Sequence, residues 1–468
     1  MSPRLVLSEG LAREILKGHP WIFADVLEGR SLSARTGDFI TLERKDGRPL
    51  GLALYEHGSP IPLRVITLNP RTRPDEDLWK SRVLRALHLR VQALGLETTE
   101  SVVRSDDVDD SQGTRVERST ADRTDVFRLI HGEGDDVPGV VVDSYAGFLV
   151  MKLDTSAWLP HLRELTRALV DVAKPRGIYL KGVRVREPGK TSGPRKQMQT
   201  PSLDWLDDIF GGKRGEDAKS DSPRARAEAL SKDSDPSAPG IELWGRPPPV
   251  PIEVCEHGMK LRVDVVRGQK TGLFIDQREN RRLMRGVARS LEVLNLFSYT
   301  GGFSVACALG GARRVISVDV GKGAVEGARE NFAINGFDPR DHEFVVADAF
   351  EYLRECSSRN RRFDCVIVDP PSFAPSKRTL AKALSAYAEL NELAIQCVKD
   401  GGLLATSSCS SHVTMEHFLE ALGRARQRTR SQLRLLEMRG QPADHPAPLH
   451  FPEGRYLKFV LATVEHNR

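Results

Sequence analysis

Beyond Glu253 the chain alternates between two periodicities, and this limits its fold more than any other feature. Short apolar runs at 291–297, 313–320, 343–347, 363–368, 402–407, 433–438 and 455–464 read as strands. Helical spacing of apolar residues fills 302–309, 322–335, 376–399 and 414–429. Strand and helix in turn predict an α/β domain: a parallel sheet with helices on both faces. The last two strands have no helix between them, so a closing antiparallel hairpin is expected. Open sheets of this kind bind ligands at the carboxyl ends of their strands. The residue types at those ends therefore carry the functional reading.

The first strand, Leu291 to Phe297, runs through Ser298-Tyr299-Thr300 into Gly301-Gly302 and a helix start. Glycine lets backbone approach a ligand closely. About 20 residues on, the second strand ends at Asp319, where an acid can accept from ribose hydroxyls. No G-x-G-x-x-G is present, which disfavours a dinucleotide and suits a nucleoside cofactor without phosphates, S-adenosylmethionine. Asp348, after the third strand, could accept from the adenine amine. Taken alone, the glycines could only make a tight turn and Asp319 only cap a helix. Strand, turn, acid and second acid in this order favour the cofactor.

The fourth strand ends in Asp369-Pro370-Pro371-Ser372-Phe373. Two prolines stiffen the loop, and Asp369 can then meet the ring nitrogen or amine of a planar base. The fifth strand ends in Ser408-Cys409-Ser410, which brings Cys409 to the same edge. Cytosine C5 is a poor nucleophile. Thiolate addition at C6 makes C5 enamine-like and able to attack a sulfonium methyl, so a cysteine beside an acid fits that chemistry. The competing reading of Cys409 is a small buried hydrophobe. For Cys307, Cys365 and Cys397, inside apolar patterns, that reading prevails.

Residues 1–72 read as a small β-rich domain with a helix near Glu9–Lys17, and 73–186 as an α+β domain with a polar insert at about 97–124. Residues 187–249, rich in Pro, Ser, Gly and charge, read as a flexible low-complexity insert, since they lack the apolar area to offset ordering entropy. The remaining 250–468 form the cofactor-binding domain. No apolar run approaches the ~18 residues of a membrane span. The six cysteines form no C-x-x-C pair, so no metal site is expected, and a reducing, cytoplasmic location fits.

Together these motifs resemble the three-domain ribosomal RNA large-subunit cytosine-C5 methyltransferases, which join a PUA domain, an EEHD domain and a class I Rossmann-like methyltransferase domain. Gly18-His19-Pro20-Trp21-Ile22-Phe23 is similar to the opening PUA motif. Arg128 to Asp135 with Val137-Pro138-Gly139 is similar to the central signature, and Gly268 to Asn280 to the segment lying by the cofactor. Asn295 to Ser304, Asp369 to Phe373, Ser408-Cys409-Ser410 and Tyr456-Leu457-Lys458 complete the match.

The resemblance implies a PUA β-barrel followed by an α+β central domain. It implies S-adenosylmethionine held by Asn295, Phe297, Tyr299, Thr300, Gly301, Gly302, Asp319, Asp348, Asp369, Gln277 and Arg278. It makes Cys409 the nucleophile, Asp369 the base contact, and Pro370, Pro371, Phe373 and Lys377 candidate RNA contacts. A second cysteine found in many RNA cytosine-C5 enzymes is replaced here by Pro371, so the proton acceptor at C5 is unassigned.

The expected partner is structured or partly assembled ribosomal RNA, with a homodimer open. The net charge, 69 basic against 64 acidic residues, is only mildly basic. Local groups, Arg278, Arg281, Arg282, Arg285 and Arg289, and Arg424, Arg426, Arg428 and Arg430, could contact phosphates or simply form solvated helix faces. Two rival readings stand. One is a guanine-nitrogen methyltransferase with no covalent adduct; the other is a non-catalytic ribosome-assembly protein.

Overall fold

A computed structural model describes residues 3–29, 32–93, 95, 123–183, 240–374 and 377–467. Most of both expected inserts lies outside these residues.

The first sheet comprises β1 (Arg4–Val6), β2 (Trp21–Ile22), β3 (Phe39–Glu43), β4 (Pro49–Tyr55) and β5 (Leu63–Thr67), ordered β1-β3-β4-β5-β2. Only β1 and β3 run parallel. Helix α1 (Glu9–Leu16) starts at Ser8, whose hydroxyl accepts from the Leu11 amide. It buries Ala12 and Ile15 against Ile22, Ile40 and Leu42. The sheet is the curled platform of a PUA-like domain.

The central sheet is ordered β10-β9-β8-β7-β6. It is built from β6 (Val126–His131), β7 (Val140–Tyr145), β8 (Phe148–Leu153), β9 (Gly177–Val183) and β10 (Ile241–Gly245). Helices α2 (Glu76–His88) and α3 (Leu162–Ala173) cover one face, with Trp79, Val83, Leu165 and Leu169 packed on Val140, Val142 and Met151. The fifth strand is a correction to the sequence reading. Ile241–Gly245 was expected in the flexible insert, yet it pairs antiparallel with β9. Its burial of Ile241 and Leu243 is the reason it orders.

A hairpin of β11 (Ile252–Glu256) and β12 (Met259–Val263) leads to helix α4 (Arg278–Val287). Then come β13 (Glu292–Leu296), α5 (Gly302–Leu309), β14 (Arg314–Asp319), α6 (Lys322–Ile334), β15 (Glu343–Val346), α7 (Ala349–Ser358), β16 (Phe363–Val368), α8 (Leu380–Gln396), β17 (Val398–Ser408), α9 (Met415–Thr429), β18 (Ser431–Arg439) and β19 (Lys458–His466). The seven strands are ordered β15-β14-β13-β16-β17-β19-β18. The last strand lies between β17 and β18 and is antiparallel to both. This is the class I methyltransferase sheet with its antiparallel hairpin.

Two cores cross domain boundaries. Leu54 and Ile66 of the first sheet join the core under α2 and α3. Val126, Tyr145 and Phe148 of the central sheet join Ile252, Val254 and the core of the methyltransferase sheet. Polar contacts pin the same junction. Asp444, in the loop before β19, accepts from Arg278 Nη1 (2.7 Å) and the Arg128 amide (2.9 Å), and its carbonyl accepts from Arg90 Nη2 (2.8 Å).

Candidate active site

The loop after β13 is tightly wound: Phe297, Tyr299 and Gly301 have φ of 57°, 47° and 79°. At Gly301 a Cβ would stand 2.8 Å from the Ala328 Cβ, so glycine is needed for helix packing as well as for the turn. Asp319 organises this loop. Its Oδ2 accepts from the Tyr299 amide (2.9 Å) and its Oδ1 from the Gly321 amide (2.8 Å). Asn295 lies beneath, 1% exposed, donating to Ser304 Oγ at 2.8 Å. The Thr300 carbonyl accepts from Asn331 (2.9 Å), and the Tyr299 hydroxyl donates to the Gly272 carbonyl (3.2 Å). Gly302 faces the Arg281 side chain.

Asp348 is exposed at the end of the neighbouring strand and caps α7 through the Phe350 and Glu351 amides. The carboxylates of Asp319 and Asp348 thus flank the turn at the ends of adjacent, paired strands. The Ser298 hydroxyl is buried there without a partner. Acceptors for ribose hydroxyls and an amine, with an orphaned hydroxyl at the turn, fit a nucleoside-bearing cofactor.

At the next edge, Asp369 Oδ1 accepts from Gln277 Nε2 (2.9 Å) and from the Ser407 hydroxyl. Among the described residues both bonds fall on Oδ1, which leaves Oδ2 for a ligand. Gln277 is itself held by Asn280 Nδ2 (2.6 Å). Gln277, expected at the cofactor, is therefore the residue that orients Asp369. Burial raises the Asp369 carboxyl above its ordinary range, and the nearby Asp276 charge adds to this against the Ser407 hydrogen bond.

Cys409 follows Ser407 and Ser408 at the end of β17 and is partly exposed. Burial raises its thiol; Lys270 and Lys458 act to lower it, and Asp369 and Asp276 to raise it further. The same charges that surround Asp369 thus act on the sulfur. Ser410 ties the Pro-Pro loop to this strand: its hydroxyl meets Ser372 Oγ (2.8 Å) and Tyr387 OH (3.0 Å) and accepts from the Ala374 amide (3.3 Å). Pro370 is buried, Pro371 exposed, and Phe373 packs on Tyr387 at 4.8 Å. Lys377 opens a short turn over 377–379.

Several residues here had no role in the sequence reading. Asp276 Oδ2 accepts from Lys270 Nζ (2.9 Å) and Tyr456 OH (2.8 Å), while its buried Oδ1 has no partner. Burial opposes the Asp276 charge, but Lys270, His445 and these hydrogen bonds hold the carboxyl far below the usual range. Lys270 and Asp276 lie inside a quoted motif, yet their link to Tyr456 spans 180 residues and leaves no sequence signal.

The arginine-rich α4 is a correction. Arg278 and Arg281 are each 3% exposed, paired with Asp444 (2.7 Å) and Glu256 (2.5 Å), so their charges are neutralised in buried ion pairs and are not presented to phosphate. In the second group Arg424 and Arg428 pair with Glu420 and Glu392.

Comparison with known proteins agrees with this architecture. A family profile for S-adenosylmethionine-dependent methyltransferases matches residues 226–448, and one for PUA-like domains matches 5–68. Ribosomal RNA large subunit methyltransferase I of Klebsiella pneumoniae is 31% identical over 462 residues, covering 99% of this chain and 98% of that protein. The chain belongs to the ribosomal RNA large subunit methyltransferase I family. The Escherichia coli K12 member is likewise 31% identical, over 464 residues, 99% of this chain and all of that one. The crystal structure of SMU.776, complexed with SAH, superposes with a TM-score of 0.74 at 19% identity over 99% of this chain and 100% of that one, which shows the shared fold. This family member is an S-adenosylmethionine-dependent methyltransferase. No helix among the described residues is long and apolar enough to cross a membrane.

Proposed function

We propose that the protein forms 5-methylcytosine in large-subunit ribosomal RNA through a covalent adduct between Cys409 and C6 of the target base. The observation that carries this reading is the shared edge of Asp369 and Cys409, where Gln277 and Ser407 fix the carboxyl two residues from the thiol along β17. The relatives' name supplies the class of RNA.

Asp319 and Asp348 around the Gly301 turn would hold the cofactor, which would supply an electrophilic methyl group. The chain's own residues prepare the base. Cys409 adds to C6. Asp369, whose carboxyl burial raises, meets N3 through Oδ2 and stabilises the adduct. The unpartnered Asp276 Oδ1 is suited to accept from the exocyclic amine. C5 would take the methyl as the sulfonium becomes a neutral thioether, the C5 proton would pass to water, and expulsion of the thiolate would restore the ring. Pro370, Pro371, Phe373 and Lys377 would border the RNA. The base must leave its stack, which costs a few kcal/mol, so a locally open or partly assembled RNA is the favoured substrate, in a reducing cytoplasm where six free cysteines persist.

Ribosomal RNA containing 5-fluorocytosine tests the adduct, because fluorine at C5 blocks elimination. Wild-type protein should give a denaturant-resistant complex and Cys409→Ala none. Methylation of cytosine retained by Cys409→Ala would refute the covalent route. Methylation found on guanine would replace it with the nitrogen-methylating reading.

A further inference from the structure

Trp21 of the first domain, Glu133 of the central one and Phe451 of the loop before β19 line a single cavity of about 190 Å³. An engineered cavity of about 150 Å³ takes a benzene ring, so this one has room for one planar base. Trp21 and Phe451 meet edge to face, 4.6 Å apart, and supply the aromatic surface on which unstacked bases settle. The cavity adjoins the candidate active site. Tyr456 also lines it, and the Tyr456 hydroxyl donates to Asp276 Oδ2 at the catalytic edge (2.8 Å). The reaction described above makes no use of this space.

Its polar groups select what can enter. Glu133 Oε1 accepts from Trp21 Nε1 (2.7 Å) and Arg64 Nη1 (3.0 Å), and Oε2 has no partner among the described residues. Glu453 Oε2 is buried without a hydrogen bond, and its ion-pair partner His19 stands 3.6 Å away. His131 Nδ1 faces Arg128 Nη1 at 2.8 Å, and a guanidinium can only donate, so Nε2 carries the proton of the neutral ring. Burial keeps that ring neutral. The cavity therefore offers two carboxylate oxygens and one N–H. Carboxylates repel phosphate, so a base enters rather than the backbone. Guanine carries the matching set on one edge: N1–H and the N2 amine to donate, and O6 to accept. Adenine and cytosine would turn a bare ring nitrogen to a carboxylate, and uracil has a single N–H.

We infer that this cavity receives a second base of the RNA, an unpaired guanine near the target in the chain, stacked on Trp21 and Phe451. Glu133 and Glu453 accept from its N–H groups, and His131 donates to O6. The target base and the guanine are then held on either side of Tyr456, and the pair fixes which nucleotide is presented to Asp369. The first domain, through Trp21, takes part in choosing the site. This rests on ribosomal RNA being the substrate, but not on the covalent route.

The test uses large-subunit ribosomal RNA transcribed with 6-thioguanosine, bound to the full chain and irradiated with long-wavelength ultraviolet light. Crosslinked peptides are read by mass spectrometry. A crosslink is expected on the peptide carrying Trp21 or the one carrying Phe451, and none on either with 4-thiouridine in place of 6-thioguanosine. In Glu133→Gln the amide oxygen can still accept from Trp21 and Arg64, but no free carboxylate oxygen is left for the base. KM for RNA should rise about tenfold, as for loss of one charge-assisted hydrogen bond, with affinity for S-adenosylmethionine unchanged. Methylation without a crosslink on either peptide overturns the proposal, as does equal crosslinking there by 4-thiouridine or an unchanged KM in folded Glu133→Gln. If that substitution unfolds the protein, the wild-type crosslink decides. Neither methylation nor a crosslink anywhere on the chain would remove the ribosomal RNA reading, and this site with it.

Discussion

At the scale of single residues, the two edge carboxylates are set apart by what holds them. Asp319 is occupied on both oxygens by backbone amides, Tyr299 in the glycine turn and Gly321 in its own loop. Asp319→Ala is therefore expected to loosen that turn as well as remove an acceptor. Affinity for S-adenosylmethionine should fall about tenfold to a hundredfold, the worth of one or two charge-assisted hydrogen bonds, measured by titration calorimetry. Asp369 has an oxygen to spare. Asp369→Asn should lower kcat about a hundredfold or more, as loss of a general acid does, with cofactor affinity unchanged; full turnover in single-turnover assays would remove Asp369 from the base. Both acids were legible because each ends a strand within a contiguous motif. The contacts of Asp276, Tyr456 and Asp444 were not: they reach across more than a hundred residues, and Asp444 lies in an unmarked loop.

At the scale of elements, burial decided what sequence periodicity left open. The strand Ile241–Gly245 sits at the end of a low-complexity stretch, and only its pairing with β9 makes an apolar face of Ile241 and Leu243. Leu243→Ala should cost about 2–5 kcal/mol, the usual range for a buried leucine, read by urea denaturation. A loss within ~0.5 kcal/mol would mean that β10 contributes little to the sheet. Helix α4 was legible only as a possible solvated arginine face, for the opposite reason. Its buried face is Arg278, Asn280, Arg281 and Met284, so an apolar period is missing and ion pairs to Glu256 and Asp444 take its place. Helix α7 did carry an apolar period, at Ala349, Tyr352, Leu353 and Cys356, but it is short and was passed over between two strands. The alternating strands and helices around them were legible because their periods are regular.

At the scale of the whole molecule, three domains are joined by shared cores and by charged groups out of water. His131 is held well below its ordinary pKa by burial, with His445 and Arg128 adding to this, and Asp276 is held far below the carboxylate range by its cationic neighbours. In each case the unfolded chain binds protons that the folded one refuses. Stability therefore rises with pH. The histidine contribution is fully present above about pH 6.5 and shrinks below it; the carboxylate contribution shrinks below about pH 4. The thermal midpoint should be flat from pH 7 to 8 and fall progressively below pH 6.5. A midpoint unchanged down to pH 4.5 would contradict the buried-histidine account. Asp444→Ala strips the buried Arg278 of its buried partner and leaves it only the more exposed Glu279, and should destabilise by about 3 kcal/mol, seen as a lower thermal midpoint at pH 7.5.

The slot taken by β19 has a consequence for how the enzyme comes into being. β17 and β18 share no ladder with each other and meet only through residues 458–466, so this part of the sheet closes only when that late strand has been made. Until then the edge of β17, whose end carries Cys409, lies uncovered.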